Sequence, residues 1–205
     1  MKKHIIHSIS LVCMLCLCAS TPLFAAKKQS LSAPRKDDFE DITNLFQIRS
    51  VRNGIAINVL RSGNFMEQNW ILKEFFLSDD LRIKRDKLRK SWDFGYVQFV
   101  SPTKKDGCLA IDESGFLKIK SCKDDIASER LETVFSIIPT ESGAVQIRSL
   151  VLDSTECLST FENPNVPIEK RFGIVPCSLD FDFFIDTSEL FFFTPALIKA
   201  RPLGG

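Results

Sequence analysis

The sequence predicts an all-β domain, and three observations predict it. Short apolar runs alternate with polar residues at period two, as in Tyr96-Val97-Gln98-Phe99-Val100 and Phe116-Leu117-Lys118-Ile119-Lys120. Turn signals interrupt such runs at Asn53-Gly54, Ser62-Gly63, Asp106-Gly107, Ser114-Gly115 and Ser142-Gly143. A four-residue pattern, Gln47-Ile48-Arg49-Ser50, recurs as Gln146-Ile147-Arg148-Ser149, with a weaker copy at Gln98-Phe99-Val100-Ser101. Long helical periodicity is scarce. With 205 residues, 44% hydrophobic and 26% charged, the chain can bury one ordinary core and is not a disordered tail.

Residues 1–26 begin with basic Lys2 and Lys3, continue through an apolar run from Ile5 to Ala19, and end on small residues at Ala25 and Ala26. That is the pattern of a signal peptide cleaved after Ala25 or Ala26, too short for a membrane span. Cys18 does not make a lipobox, because bulky Leu17 and Cys16 precede it. Residues 27–43 are polar, carry Pro34 and show no period, so they read as a flexible arm. The β-rich body follows over residues 44–195. Residues 196–205, with Pro202 and two terminal glycines, read as a short tail.

Removing the leader changes the chemistry on offer. His4 and His7 are the only histidines, and both lie within it. Hydrolases built on an imidazole base, histidine-ligated zinc sites and histidine-dependent nucleases are therefore excluded for the exported chain. No cofactor is expected, and the reading is a non-enzyme. The formal net charge is +1, so no global field steers the chain toward DNA.

Three of the seven cysteines go with the leader, leaving Cys108, Cys122, Cys157 and Cys177. An even number in an exported chain reads as disulfides. Three connectivities can be drawn. The expected one pairs Cys108 with Cys122 and Cys157 with Cys177, closing loops of about 15–20 residues that stabilise by about 3 kcal/mol each. A four-cysteine metal site is the rival, but no Cys-x-x-Cys pair is present.

The repeat extends beyond its opening residues. About ten residues after the second and third openings come Cys108-Leu109 and Cys157-Leu158, while the first copy offers Gly54-Ile55 near that place. Gln68-Asn69-Trp70 closes the first copy as a Gln-x-Trp signature. Thr133-Val134-Phe135 and the Phe191-Phe192-Phe193 run stand at comparable closing positions. This set resembles a ricin-type lectin, which implies a single β-trefoil over residues 44–195, with three four-stranded units around one axis.

A more specific resemblance covers most of Leu45 to Pro195. Phe94-Gly95-Tyr96-Val97-Gln98-Phe99, Cys108-Leu109-Ala110-Ile111 and Glu132-Thr133-Val134-Phe135-Ser136-Ile137 are similar, in order, to the C-type subunits of cytolethal distending toxins. So are Ala144 to Leu152 and Lys170-Arg171-Phe172-Gly173-Ile174 with Pro176-Cys177. The resemblance implies a bacterial heterotrimer: this chain, a lectin-like A-type subunit, and a B-type nuclease resembling deoxyribonuclease I. The two lectin-like subunits would be secreted through the periplasm and deliver the nuclease at the host cell surface, by a glycan or a membrane lipid. The alternative is a secreted two-disulfide β-trefoil enzyme inhibitor, which needs a rigid exposed loop that the sequence does not identify.

The resemblance also nominates residues. Ricin-type sugar pockets use an aspartate two positions after the first cysteine of a repeat; Ala110 and Ser159 stand there, and Asp112 is displaced by two positions. Asp112 is thus the carbohydrate candidate, while Gln68 and Trp70 read as core. A cholesterol motif of the Leu/Val…Tyr…Lys/Arg kind would have to use Tyr96, the only tyrosine, yet Leu88 and Lys104 are each too far from it. Arg82, Lys84, Arg85, Lys87, Arg89 and Lys90 form a basic run offset by Asp86, read as a solvated insertion. Phe181, Phe183 and Phe184, among Asp180, Asp182 and Asp186, are the candidate subunit contact.

Overall fold

The computed structural model describes residues 45–60, 64–91, 93–152, 154–167, 170–178 and 185–197. The leader, the arm, residues 198–205 and the Phe181, Phe183 and Phe184 cluster lie outside them.

The alternating runs form antiparallel strands in three units. Unit one holds β1 (Phe46–Ser50) and β2 (Asn69–Phe75). Unit two holds β3 (Tyr96–Val100), β4 (Gly107–Ile111), β5 (Leu117–Ser121) and β6 (Phe135–Pro139). Unit three holds β7 (Val145–Ser149), β8 (Glu156–Thr160), β9 (Phe172–Pro176) and β10 (Phe191–Pro195). Strands β1, β2, β3, β6, β7 and β10 pair in that order, and β10 returns to β1, which closes a barrel without edges. The β4–β5 and β8–β9 hairpins hang from β3 and β7 through the bridges Val100↔Cys108 and Arg148↔Cys157. This is a β-trefoil.

Threefold register explains the repeat. Phe46 pairs with Trp70, Val97 with Phe135 and Val145 with Phe191, so each unit closes on a buried aromatic. The second residues of the repeated motif, Ile48, Phe99 and Ile147, are fully buried between them. Burying each such side chain stabilises by about 1.5–3 kcal/mol. The motif's glutamine has an equally regular task. Gln47 donates to Gln68 Oε1 at 3.4 Å, Gln98 to Thr133 Oγ1 at 2.8 Å, and Gln146 to Glu189 Oε2 at 3.0 Å. Each acceptor lies two residues before the closing aromatic. Trp70, read as core, is buried in the barrel, and its indole N–H donates to the Ile57 carbonyl; Gln68, read the same way, is only half-buried and ends the short 3-10 helix Phe65–Gln68.

Unit one departs from the other two. Arg49 bridges Ala56, as Val100 bridges Cys108 and Arg148 bridges Cys157. The equivalents of Cys-Leu are thus Ala56-Ile57, not Gly54-Ile55. Gly54 instead takes φ +70° in the turn before them, a conformation that glycine adopts without steric penalty. Ile57 is fully buried like Leu109 and Leu158. With no cysteine pair to brace it, the stretch from Ile57 to Leu60 runs on without a described strand.

Two short α-helices lie among the described residues. Helix α1 (Asp79–Arg85) starts at Ser78, whose hydroxyl accepts from the Leu81 N–H, with acidic residues in the first turn and basic ones in the last. Helix α2 (Cys122–Ala127) is capped by Ser121 in the same way. Leu197, read as tail, is tied to the body: its N–H donates to Asn69 Oδ1, and Asn69 Nδ2 donates back to its carbonyl.

Candidate functional site

The expected disulfides are both formed. Cys108 joins Cys122 and Cys157 joins Cys177, with Cα separations of 5.2 and 4.8 Å. Each bridge ties the first strand of a hairpin to the segment just beyond the second.

Asp112 follows β4 at the start of the hairpin turn. Its Oδ1 accepts from the Ser114 N–H at 2.9 Å, the Phe116 N–H at 3.2 Å and the Ser114 hydroxyl, while its Oδ2 pairs with Lys118. Burial opposes ionisation, but these donors override it and hold the carboxyl well below the usual carboxylate range. The carboxylate is saturated by its own hairpin, which leaves little acceptor capacity for a sugar diol. Ala110 is fully buried, and Ser159 is buried with its hydroxyl on Ser188 Oγ at 3.2 Å. The corrected alignment adds Asn58 as the unit-one counterpart of Ala110 and Ser159. Its side chain accepts from the Leu60 N–H at 3.1 Å, so it too serves a local turn. Counting two residues on from Ala56 would have found it.

Tyr96 is buried, and its hydroxyl donates to Asp86 Oδ2 at 2.7 Å. Burial, reinforced by that bond to a carboxylate, pushes the phenol well above its ordinary range. Its ring therefore faces the protein rather than a membrane. The partner is the acidic residue inside the basic run. Arg148 clamps Asp86 through two parallel bonds of 2.7 and 2.9 Å, with both side chains fully buried. Burial opposes ionisation of Asp86, and the Arg148 and Tyr96 bonds reverse that and lower its pKa. The basic run is thus an insertion anchored at its centre rather than one solvated throughout. Its cations are partly engaged: Arg85 donates to the Glu129 and Arg130 carbonyls, Lys84 pairs with Glu129, and Arg82 with Asp79 and Asp93.

The two hairpins meet across a shallow groove of about 440 Å³ lined by Phe116, Leu152, Phe161 and Ile174. Gly115, at φ +80°, sits where an added Cβ would come 3.2 Å from Ile174, which allows this close approach. Among the described residues no group of three His, Cys, Asp or Glu side chains is placed to hold a metal ion, and no helix is long and apolar enough to cross a membrane.

A threefold barrel with two disulfide-braced hairpins defines the class: a β-trefoil. The sequence also matches, over residues 45–202, the family described as the cytolethal distending toxin A/C domain. The chain belongs to that family. Among solved structures it is similar to the cytolethal distending toxin of Haemophilus ducreyi, with 21% identity, a TM-score of 0.57, and 80% of this chain and 93% of that one covered. The toxin of Actinobacillus actinomycetemcomitans matches with the same values: 21%, 0.57, 80% and 93%. A mosquitocidal holotoxin matches at 10% identity and a TM-score of 0.50, over 74% of this chain and 17% of that one. These likenesses carry the fold. No curated protein sequence matches.

Proposed function

We propose that this chain is the C-type binding and delivery subunit of a cytolethal distending toxin. It assembles with a lectin-like A-type subunit and a B-type nuclease resembling deoxyribonuclease I. The observation that carries this reading is the A/C-domain match across residues 45–202, which spans all three trefoil units. The ordered resemblance to C-type subunits favours that role over the A-type one. The nuclease supplies the chemistry, in keeping with a chain that has no histidine beyond its leader. Export through the periplasm, two disulfides and action at the host cell surface fit one route. The inhibitor alternative draws no support from the family match.

Reconstitution tests this. The purified chain, mixed with its A-type and nuclease partners, should co-elute as a heterotrimer and restore nuclear DNA damage in cultured cells. Full intoxication by those two partners alone, or DNA cleavage by this chain alone, would overturn the proposal.

A further inference from the structure

A cleft of about 570 Å³ opens beside the β4–β5 hairpin, where unit one lacks a described hairpin of its own. That volume lies in the range of small-ligand sites, about 300–1,000 Å³. Three cations line it, each from a different place in the chain. Lys104 comes from the β3–β4 turn, Lys118 from the outward face of β5, and Lys170 from the loop before β9. The backbone fixes their positions. A Cβ at Gly107 would come 2.7 Å from the Lys104 Cβ, so glycine is required for that turn to fold back against β4. The Lys170 N–H donates to the Pro167 carbonyl at 2.8 Å, and neighbouring Arg171 donates to the Val166 carbonyl at 2.9 Å.

The cleft is not electrically neutral. Lys118 is matched by Asp112, whose oxygens its own hairpin already occupies. Among the described residues, no carboxylate lies within ion-pair distance of Lys104 or Lys170. Two lysines with no carboxylate partner among the described residues thus face one opening. The apolar wall contains Leu60 and Phe116, the latter 45% exposed. A flat apolar face beside paired cations suits a ring that carries both C–H surface and a fixed negative charge.

We infer that this cleft binds an acidic saccharide, its carboxylate or sulfate held by Lys104 and Lys170 and its ring laid against Phe116. The inference rests on the surface-attachment reading above and names the ligand class for it. Each lysine acts as a point charge at the cleft mouth, worth about fivefold in affinity at contact distance in water. Binding weakens as salt rises, because the pairs are solvent-exposed.

The test is calorimetric titration of the full secreted chain with a sialylated trisaccharide, a sulfated heparin-derived disaccharide and neutral lactose. At least one acidic sugar should bind and lactose should not. Lys104→Gln with Lys170→Gln should weaken binding at least tenfold, whereas Lys123→Gln, exposed on α2 and outside the lining of the cleft, should leave it within twofold. Equal binding of lactose, an equal loss in Lys123→Gln, or no binding by either acidic sugar would overturn the inference. So would tetraglutamate or anionic phospholipid vesicles binding as tightly as the sugars. A failed titration with intact reconstitution of the heterotrimer removes only this site; failed reconstitution removes the delivery reading itself.

Discussion

Arg148→Met should be among the most damaging single substitutions in the barrel. The guanidinium makes two bonds to Asp86, at 2.7 and 2.9 Å, and a third to the Ser154 carbonyl at 3.1 Å. Methionine fills similar volume but leaves Asp86 as a buried anion held only by the Tyr96 hydroxyl and the Leu88 N–H. Breaking a buried pair by removing one partner costs about 3–5 kcal/mol, because the remaining charge is stranded. A domain this size is stable by about 5–15 kcal/mol, so the variant should still fold. Its melting temperature should fall by roughly 6–20 °C, at about 2–4 °C per kcal/mol. Urea unfolding followed by tryptophan fluorescence reads the change, since Trp70 is buried. The double variant Asp86→Leu/Arg148→Met should recover much of the loss, because no unpaired charge remains. The clamp also docks the insertion, so trypsin should cut faster between Arg82 and Lys90 in Arg148→Met than in the parent. A change under about 1 kcal/mol, with unchanged cleavage there, would refute the argument that this pair anchors the insertion.

Replacing Cys157 and Cys177 by serine should lower stability by about 3 kcal/mol, and non-reducing peptide mapping of the parent should find no Cys108–Cys157 or Cys108–Cys177 link. Gln146→Ala should cost about 1–3 kcal/mol, because it strips a donor from buried Glu189; Gln47→Ala should cost less, its bond being 3.4 Å long and its acceptor only half-buried. Both effects are read as shifts in the urea midpoint. Asp86 and Asp112 have depressed folded pKa values, so their contribution is complete above the unfolded value of about 3.9 and is lost as pH falls through the folded values. The urea midpoint should therefore hold level for these groups from pH 7 to about pH 5 and drop below about pH 4, and Asp112→Asn should shrink that drop.

Features that threefold symmetry forces to recur can be read along the chain. Identical surroundings in each unit demand an apolar residue at Ile48, Phe99 and Ile147, an aromatic at Trp70, Phe135 and Phe191, and a glutamine one step before the first set. Such constraints repeat along the chain, so they show in one dimension. The disulfides were legible for a related reason: each bridge closes a single hairpin, and its loop is local. Asp86 was not legible. In the sequence it interrupts a cationic run and looks solvated, yet its partner Arg148 lies 62 residues away. The same holds for Asp112, whose type suggests a sugar acceptor while its turn occupies one oxygen and Lys118 of β5 the other. Unit one was misaligned by two residues because a barrel bridge, not residue identity, places Ala56 opposite Arg49. Residue type sets what a carboxylate or lysine can do, but tertiary packing decides which charges meet, which stay paired, and which remain open to a ligand.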